Sequence, residues 1–157
     1  MRNALTVDVE DYFQVAAFAR QVDPASWDRF SLRVERNTQR LLDLFAERGV
    51  KATFFVLGWV AERCPGLVRT IAENGHEVAC HGYSHQLIYE QTPAIFREET
   101  VRAKACLEDQ AQRPMLGYRA ASYSITQRSL WALDVLAELG FAYDSSIFPI
   151  HHDRYGI

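Results

Sequence analysis

Cysteine is scarce in this chain. Cys64, Cys80 and Cys106 are its only three, an odd number without framework spacing, which excludes a disulfide scaffold. A basic excess is also missing: 17 Lys and Arg stand against 20 Asp and Glu, for a net charge of -3. That balance argues against a nucleic-acid binder. No apolar run is long enough to span a bilayer, so no membrane span is expected. The first residues, Met1 to Asp8, reach a carboxylate where a signal peptide needs an apolar stretch, and a cytoplasmic location is the default expectation. Internal repeats, low-complexity tracts and linkers are absent as well. What remains is the profile of one ordinary globular domain: 157 residues, 48% apolar and 24% charged, enough for a real core.

Within that domain, apolar strands alternate with amphipathic helices. Leu5–Val9 reads as a short buried strand ending in acids, followed by a polar and aromatic stretch that Pro24 breaks. Val34, Leu41, Leu42, Leu44 and Phe45 predict a helix from Val34 to Arg48, closed by Gly49. Ala52–Leu57 is a nearly continuous apolar strand, as in a sheet covered on both sides. A short helix follows near Trp59, and another runs from Pro65 to Asn74-Gly75. Glu77–Cys80 is a third strand with His81 at its end. Thr92-Pro93 opens a long helix to about Asp109, with Thr92 as N-cap. Met115–Arg119 predicts a fourth strand, Thr126–Glu138 a helix stopped by Gly140, and Phe141–Asp144 a fifth strand. This alternation predicts a parallel sheet. It also places Asp8, His81, Arg119 and Asp144 at the C-terminal strand ends, the edge that carries the active site in parallel α/β folds.

The residues at that edge have a definite chemistry. His81-Gly82-Tyr83-Ser84-His85 sets two imidazoles four positions apart, on one face if the segment turns like a helix. The spacing alone is as often a pair of ordinary histidines. Asp8, Glu10 and Asp11 change that balance, because carboxylates at the end of an apolar strand are costly unless paired or bound to metal. Two histidines and one acid make a metal site with a position left for water, and a second acid can act as base. A bound metal lowers the pKa of water from about 16 toward 7. Strand alternation puts Asp8 and Glu10 on one face and Asp11 on the other. Arg119 at a strand end can hold a catalytic carboxylate by a bidentate pair, and backbone N–H groups in the loop after it can stabilise an oxyanion. Cys80 reads as a small buried apolar residue, pointing away from His81. His76, His151 and His152 read as structural or solvated. Tyr12, Phe13, Trp27, Phe30 and Tyr123 have the make-up of a sugar platform, although aromatics at such positions are more often core.

These segments, in order, resemble the polysaccharide deacetylases, the NodB-homology or carbohydrate esterase family 4 domain. Thr6–Asp11 resembles the first motif, His81–His85 the second, with its two metal-binding histidines, and Tyr118–Ser122 the third. Gly140–Ser146 is similar to a segment that follows them. Asp-Val-Glu-Asp, taken with Asp-Ser-Ser-Ile-Phe-Pro, is similar to a bacterial subgroup tied to exopolysaccharide loci. The resemblance implies a parallel (β/α) barrel, a divalent metal, most simply Zn2+, and hydrolysis of N-acetyl groups from the amino sugars of a polysaccharide or oligosaccharide. It implies Asp8 as the base toward metal-bound water, Arg119 as its partner, and His81 and His85 as metal ligands with a carboxylate. Ser122 and Tyr123, in the third motif and its loop, are the expected substrate contacts.

The chain departs from the family pattern at three places. The family's metal-binding aspartate directly follows the base, and Val9 stands there, so the ligand is Glu10 or Asp11. Glu10 is favoured because it shares a strand face with Asp8. Ala121 replaces the usual proline of the third motif. The last motifs, which carry the general acid, are absent, and about five βα units fall short of the roughly 200 residues a full barrel needs. Residues 1–157 are therefore expected to be the N-terminal part of a deacetylase domain, truncated at its C-terminus, with an open sheet edge that favours a homo-oligomer. The alternatives are another amide hydrolase on the same fold and a catalytically impaired carbohydrate-binding fragment.

Overall fold

A computed structural model describes residues 4–150, 152, 156 and 157; His151 lies outside them. Five strands form one parallel sheet: β1 (Thr6–Val9), β2 (Thr53–Val56), β3 (Glu77–Cys80), β4 (Gly117–Tyr118) and β5 (Tyr143–Asp144). Their spatial order is their order in the chain. A doubly wound sheet reverses its order at a switch point, and this one does not; sequential parallel pairing is the winding of a (β/α) barrel. Among the described residues the sheet is open, with β1 and β5 at its edges. The register pairs Asp8 with Phe55, Val56 with Cys80, Cys80 with Tyr118 and Tyr118 with Asp144, which aligns the C-terminal strand ends.

Side-chain alternation gives this sheet two different faces. Val9, Phe54, Val56, Val78, Cys80 and Tyr118 join the helices in a single core. Asp8, Phe55, Ala79 and Arg119 take the other face. The helices are α1 (Val34–Arg48), α2 (Gly58–Arg63), α3 (Pro65–Glu73), α4 (Pro93–Ala111) and α5 (Trp131–Glu138). Their expected punctuation holds: Gly49 ends α1 in the left-handed region at φ 62°, and Thr92 caps α4 by accepting from Ile95 N–H at 3.3 Å.

Four expectations change, the first being the fifth strand, which shrinks from Phe141–Asp144 to Tyr143–Asp144. The fourth strand shrinks from Met115–Arg119 to Gly117–Tyr118. It passes so close to β5 that a Cβ at Gly117 would fall 2.2 Å from the Tyr143 ring. The helix expected from Thr126 starts instead as a 3-10 turn, Gln127–Ser129, before α5. Buried Ser129 accepts from Thr126 N–H and donates to Ser124 O, both at 2.9 Å, which holds that turn apart from the helix. Pro24 opens a 3-10 helix, Pro24–Arg29, with Asp23 accepting from Ala25 N–H at its start.

Candidate active site

The turn after β1 separates its acids as strand alternation requires. Asp11 is buried and fully engaged with backbone. Its Oδ2 accepts from Arg33 N–H at 2.6 Å and Val34 N–H at 3.0 Å, and its Oδ1 from Tyr12 N–H at 2.9 Å. Arg33, at the N-cap of α1, offers no side-chain cap, so Asp11 satisfies the helix's first donors from a distant part of the chain. Asp11, kept in the sequence reading as the alternative metal ligand, is thus a structural cap.

Glu10 faces the other way and meets the two histidines. One ligand atom from each of Glu10, His81 and His85 lies within 4.8 Å of the others. Glu10 Oε2 is 2.8 Å from His85 Nε2, and the two imidazole centroids are 5.4 Å apart. The His81–His85 segment is not helical, contrary to one way of reading its spacing. Gly82 and His85 are left-handed, at φ 76° and 55°. The turn is clamped from outside, with Gly82 O and Tyr83 O accepting from Gly58 N–H (2.9 Å) and Trp59 N–H (3.2 Å). Ser84 Oγ donates to Glu99 at 2.6 Å.

The donor set suits a divalent cation. His81 Nδ1 is 2.7 Å from Arg119 O, a carbonyl that can only accept. The ring proton therefore sits on Nδ1, and the Nε2 lone pair is left for a ligand. Burial holds His81 below the ordinary histidine value, against the charges of Asp8 and Glu10, which keeps it in the neutral, ligating form. Burial works to raise the Glu10 carboxyl, but the contact with His85 and the charges of His85 and His81 outweigh it, leaving Glu10 below its usual range. Glu10 Oε2 and His85 Nδ1 are buried without a hydrogen bond of good geometry. An anionic oxygen stranded among imidazoles is what a cation would satisfy.

Asp8 stands beside this cluster, held by Arg119. Arg119 Nη1 donates to Asp8 Oδ1 at 2.7 Å and to Thr6 Oγ1 at 3.1 Å. Its Nη2 goes to Ser145 Oγ at 2.9 Å, so the pair with Asp8 is single rather than bidentate. The guanidinium lies 4.0 Å over the Phe55 ring. The Arg119 side chain is 7% exposed against 31% for Asp8, so the carboxylate meets solvent while its anchor does not. Residue-by-residue reading missed Ser145; its signal was the Asp144-Ser145-Ser146 wording after the third motif.

Asp144 reaches the same edge but serves the loop. It accepts from Ser146 N–H at 2.8 Å and Oγ at 2.5 Å, while Ser146 Oγ accepts from Ala120 N–H at 2.7 Å. Burial raises its carboxyl. The loop after Arg119 turns through Ser122 and Tyr123, both left-handed at φ 50° and 53°. Its Tyr123 and Ser124 N–H groups are spent on Ala120 O and Ala121 O. Tyr123 lies between the Arg119 guanidinium, 5.6 Å from its ring, and Phe148.

The other candidates are structural. Phe13 and Trp27 are buried and pack with Phe30 and Trp59, so that group is core rather than a sugar platform. Tyr12 is exposed, with Arg33 over its ring at 4.4 Å. His76 is buried, and its Nδ1 accepts from Ala52 N–H at 3.1 Å. Cys80 lies in the core, its thiol pushed up to about 12 by burial, and it is not in the group formed by Glu10, His81 and His85.

Comparison with known proteins agrees with this geometry. Residues 25–143 match the profile of the polysaccharide deacetylases. A chitooligosaccharide deacetylase from Bradyrhizobium is 32% identical over 100 residues, 64% of this chain and 43% of that protein. A peptidoglycan-N-acetylglucosamine deacetylase from Bacillus cereus is 36% identical over 70 residues, 45% of this chain and 26% of that one. A Mycobacterium smegmatis crystal structure assigned to the polysaccharide deacetylases superposes at TM-score 0.75 with 33% identity, covering 95% of this chain and 52% of that one. The chain thus spans about half the length of the relatives it matches, or less. With the profile covering most of its length and the fold shared with a solved relative, the chain belongs to the polysaccharide deacetylase family.

Proposed function

We propose that this chain carries the metal-binding and base-bearing part of an N-deacetylase acting on N-acetylated amino sugars in a polysaccharide or oligosaccharide. The observation that carries the reading is the meeting of Glu10, His81 and His85 beside the Asp8–Arg119 pair. Glu10, His81 and His85 would hold a divalent cation, with zinc the best match to a nitrogen-rich set of two imidazoles and one carboxylate. Such a cation, when bound, supplies Lewis acidity toward water and the amide carbonyl.

The protein's own groups do the rest. Hydrolysis joins a water oxygen to the acetyl carbon, breaks the C–N bond and releases acetate and the sugar amine. Asp8 takes the proton lost by the attacking water, its partial exposure lets water reach it, and the sugar nitrogen takes up a proton as the C–N bond breaks. Arg119 holds Asp8 in one orientation through a guanidinium fixed at Thr6 and Ser145. Backbone N–H groups of the loop after Arg119 would serve a developing oxyanion. Tyr123 and Ser122 present the adjoining surface to the sugar.

The test is zinc content per chain together with acetate release from chitooligosaccharides. Close to one zinc per chain, with acetate released by the wild type and lost in Asp8→Asn, is the expected result. Folded protein that takes up no zinc when it is supplied would overturn the metal reading. Zinc uptake without acetate release from any N-acetylated saccharide offered would overturn the deacetylase reading.

A further inference from the structure

The two histidines are not held alike. His81 has its Nδ1 proton fixed by Arg119 O. His85 turns Nε2 toward Glu10, and its Nδ1 is buried with no protein partner. A histidine that ligates through Nε2 carries its proton on Nδ1, and that proton needs an acceptor if the ring is to keep its orientation.

A small cavity abuts His85 and His81, and Glu10 is not among the residues that line it. It has about 10 Å3 of space for water, the room of a single molecule, and Gln91, Glu99, Thr100 and Tyr118 also line it. Two of these residues carry buried oxygens without a hydrogen bond of good geometry, Gln91 Oε1 and Thr100 Oγ1, the latter beside the Tyr118 hydroxyl. The Gln91 amide is not free to turn over, because its Nε2 donates to Gln86 O at 2.9 Å, which commits Oε1 to the buried side. Glu99 already accepts from Ser84. Three buried polar groups with hydrogen-bonding capacity to spare, one donor and two acceptors, thus belong to residues bordering a space for one water. An interior water makes about three hydrogen bonds to such groups.

We propose that a single buried water behind His85 accepts the Nδ1 proton and donates to Gln91 Oε1 and Thr100 Oγ1, making Gln91 and Thr100 positioning residues for the metal-facing Nε2. This rests on the reading that Glu10, His81 and His85 hold a cation. His81 is then oriented by backbone, through the Arg119 carbonyl just after β4, and His85 by a water beside α4. Neither Gln91 nor Thr100 touches the cation or the sugar.

The experiment is a high-resolution crystal structure of the chain, with zinc affinities by competition titration for Gln91→Met, Thr100→Val, the double variant and the conservative Thr100→Ser. One water within hydrogen-bond distance of all three atoms is expected. Zinc binding should weaken about 10- to 100-fold in the double variant, the range for losing an outer partner of a ligating histidine, and stay near wild type in Thr100→Ser. Urea unfolding of each zinc-free variant separates a packing defect from lost positioning, because packing alone lowers stability without selectively moving zinc affinity. A dry cavity, or a natively folded double variant with wild-type zinc affinity, would overturn the proposal. If the double variant does not fold, the contrast between Thr100→Val and Thr100→Ser decides. A chain that holds the water yet takes up no zinc would overturn the metal reading and leave the water site standing.

Discussion

Arg119 acts on both halves of the site at once. Its guanidinium aims Asp8, and its backbone carbonyl fixes the His81 tautomer. Side-chain substitution should therefore separate the two roles. Arg119→Lys keeps a cation but cannot reach Asp8, Thr6 and Ser145 together, since an ammonium lacks the planar fork. The expected outcome is acetate release down by about 10²-fold, the scale of a mispositioned base, with zinc stoichiometry unchanged. Equal loss of zinc and activity would show that the side chain supports the metal cluster instead. Asp8→Asn should cost about 10²- to 10⁴-fold in rate with zinc retained, whereas Glu10→Gln should lose the zinc. That Glu10 and Asp11 turn to opposite sides was legible beforehand, because the strand period of two places Glu10 with Asp8. Ser145 was not legible as a partner, because a serine beyond a strand end has no pattern of its own until the arginine is placed beside it.

Elements carry the next layer of constraint. Asp11 ties the turn after β1 to the start of α1, so Asp11→Ala should cost about 1–2 kcal/mol in urea unfolding, the range for a lost cap, and more if the freed donors stay dry. Zinc affinity should move far less than in Glu10→Gln, which would confirm the acids' division of labour. His76 plays a comparable part at the opposite end of the sheet, accepting from Ala52 N–H as the neutral ring. Burial, and then the charge of Lys51, lower its pKa in the folded state. The unfolded chain therefore takes up this proton first as pH falls through about 6.5. The stability His76 contributes is complete above that value and is lost as pH falls toward its folded pKa. Asn at this position keeps an acceptor near Nδ1 and does not titrate. His76→Asn should accordingly flatten the loss of stability between pH 7.5 and 5.5, read by urea unfolding; an unchanged slope would place the titration elsewhere. Helix boundaries were readable because Pro65, Pro93 and Gly49 punctuate them through backbone geometry. The His81–His85 turn was not, because it depends on a left-handed His85, a conformation no neighbouring residue signals.

At the scale of the whole molecule the site is a convergence of distant chain segments. Glu10 follows β1, His81 and His85 follow β3, Arg119 follows β4, and Ser145 follows β5. Alternating strands and helices made the parallel sheet and its functional edge foreseeable, since sequential winding brings every strand end to one rim. The open sheet was foreseeable too, because about five strands are too few to close a barrel, and among the described residues β1 and β5 remain edges. An open sheet leaves β1 bound to its neighbours on one side only, through β2. A cation held by Glu10 on one segment and two histidines on the other would therefore link β1 to β3 across β2. Because it binds the folded state and not the dispersed ligands, zinc at 100 times its Kd should add about 2.7 kcal/mol to unfolding, and a chelator should reverse it. Asp8→Asn should keep the zinc-dependent rise in melting temperature, and Glu10→Gln should abolish it. A rise of equal size in Glu10→Gln would mean that the ion stabilises the chain from somewhere other than the rim where these four segments meet.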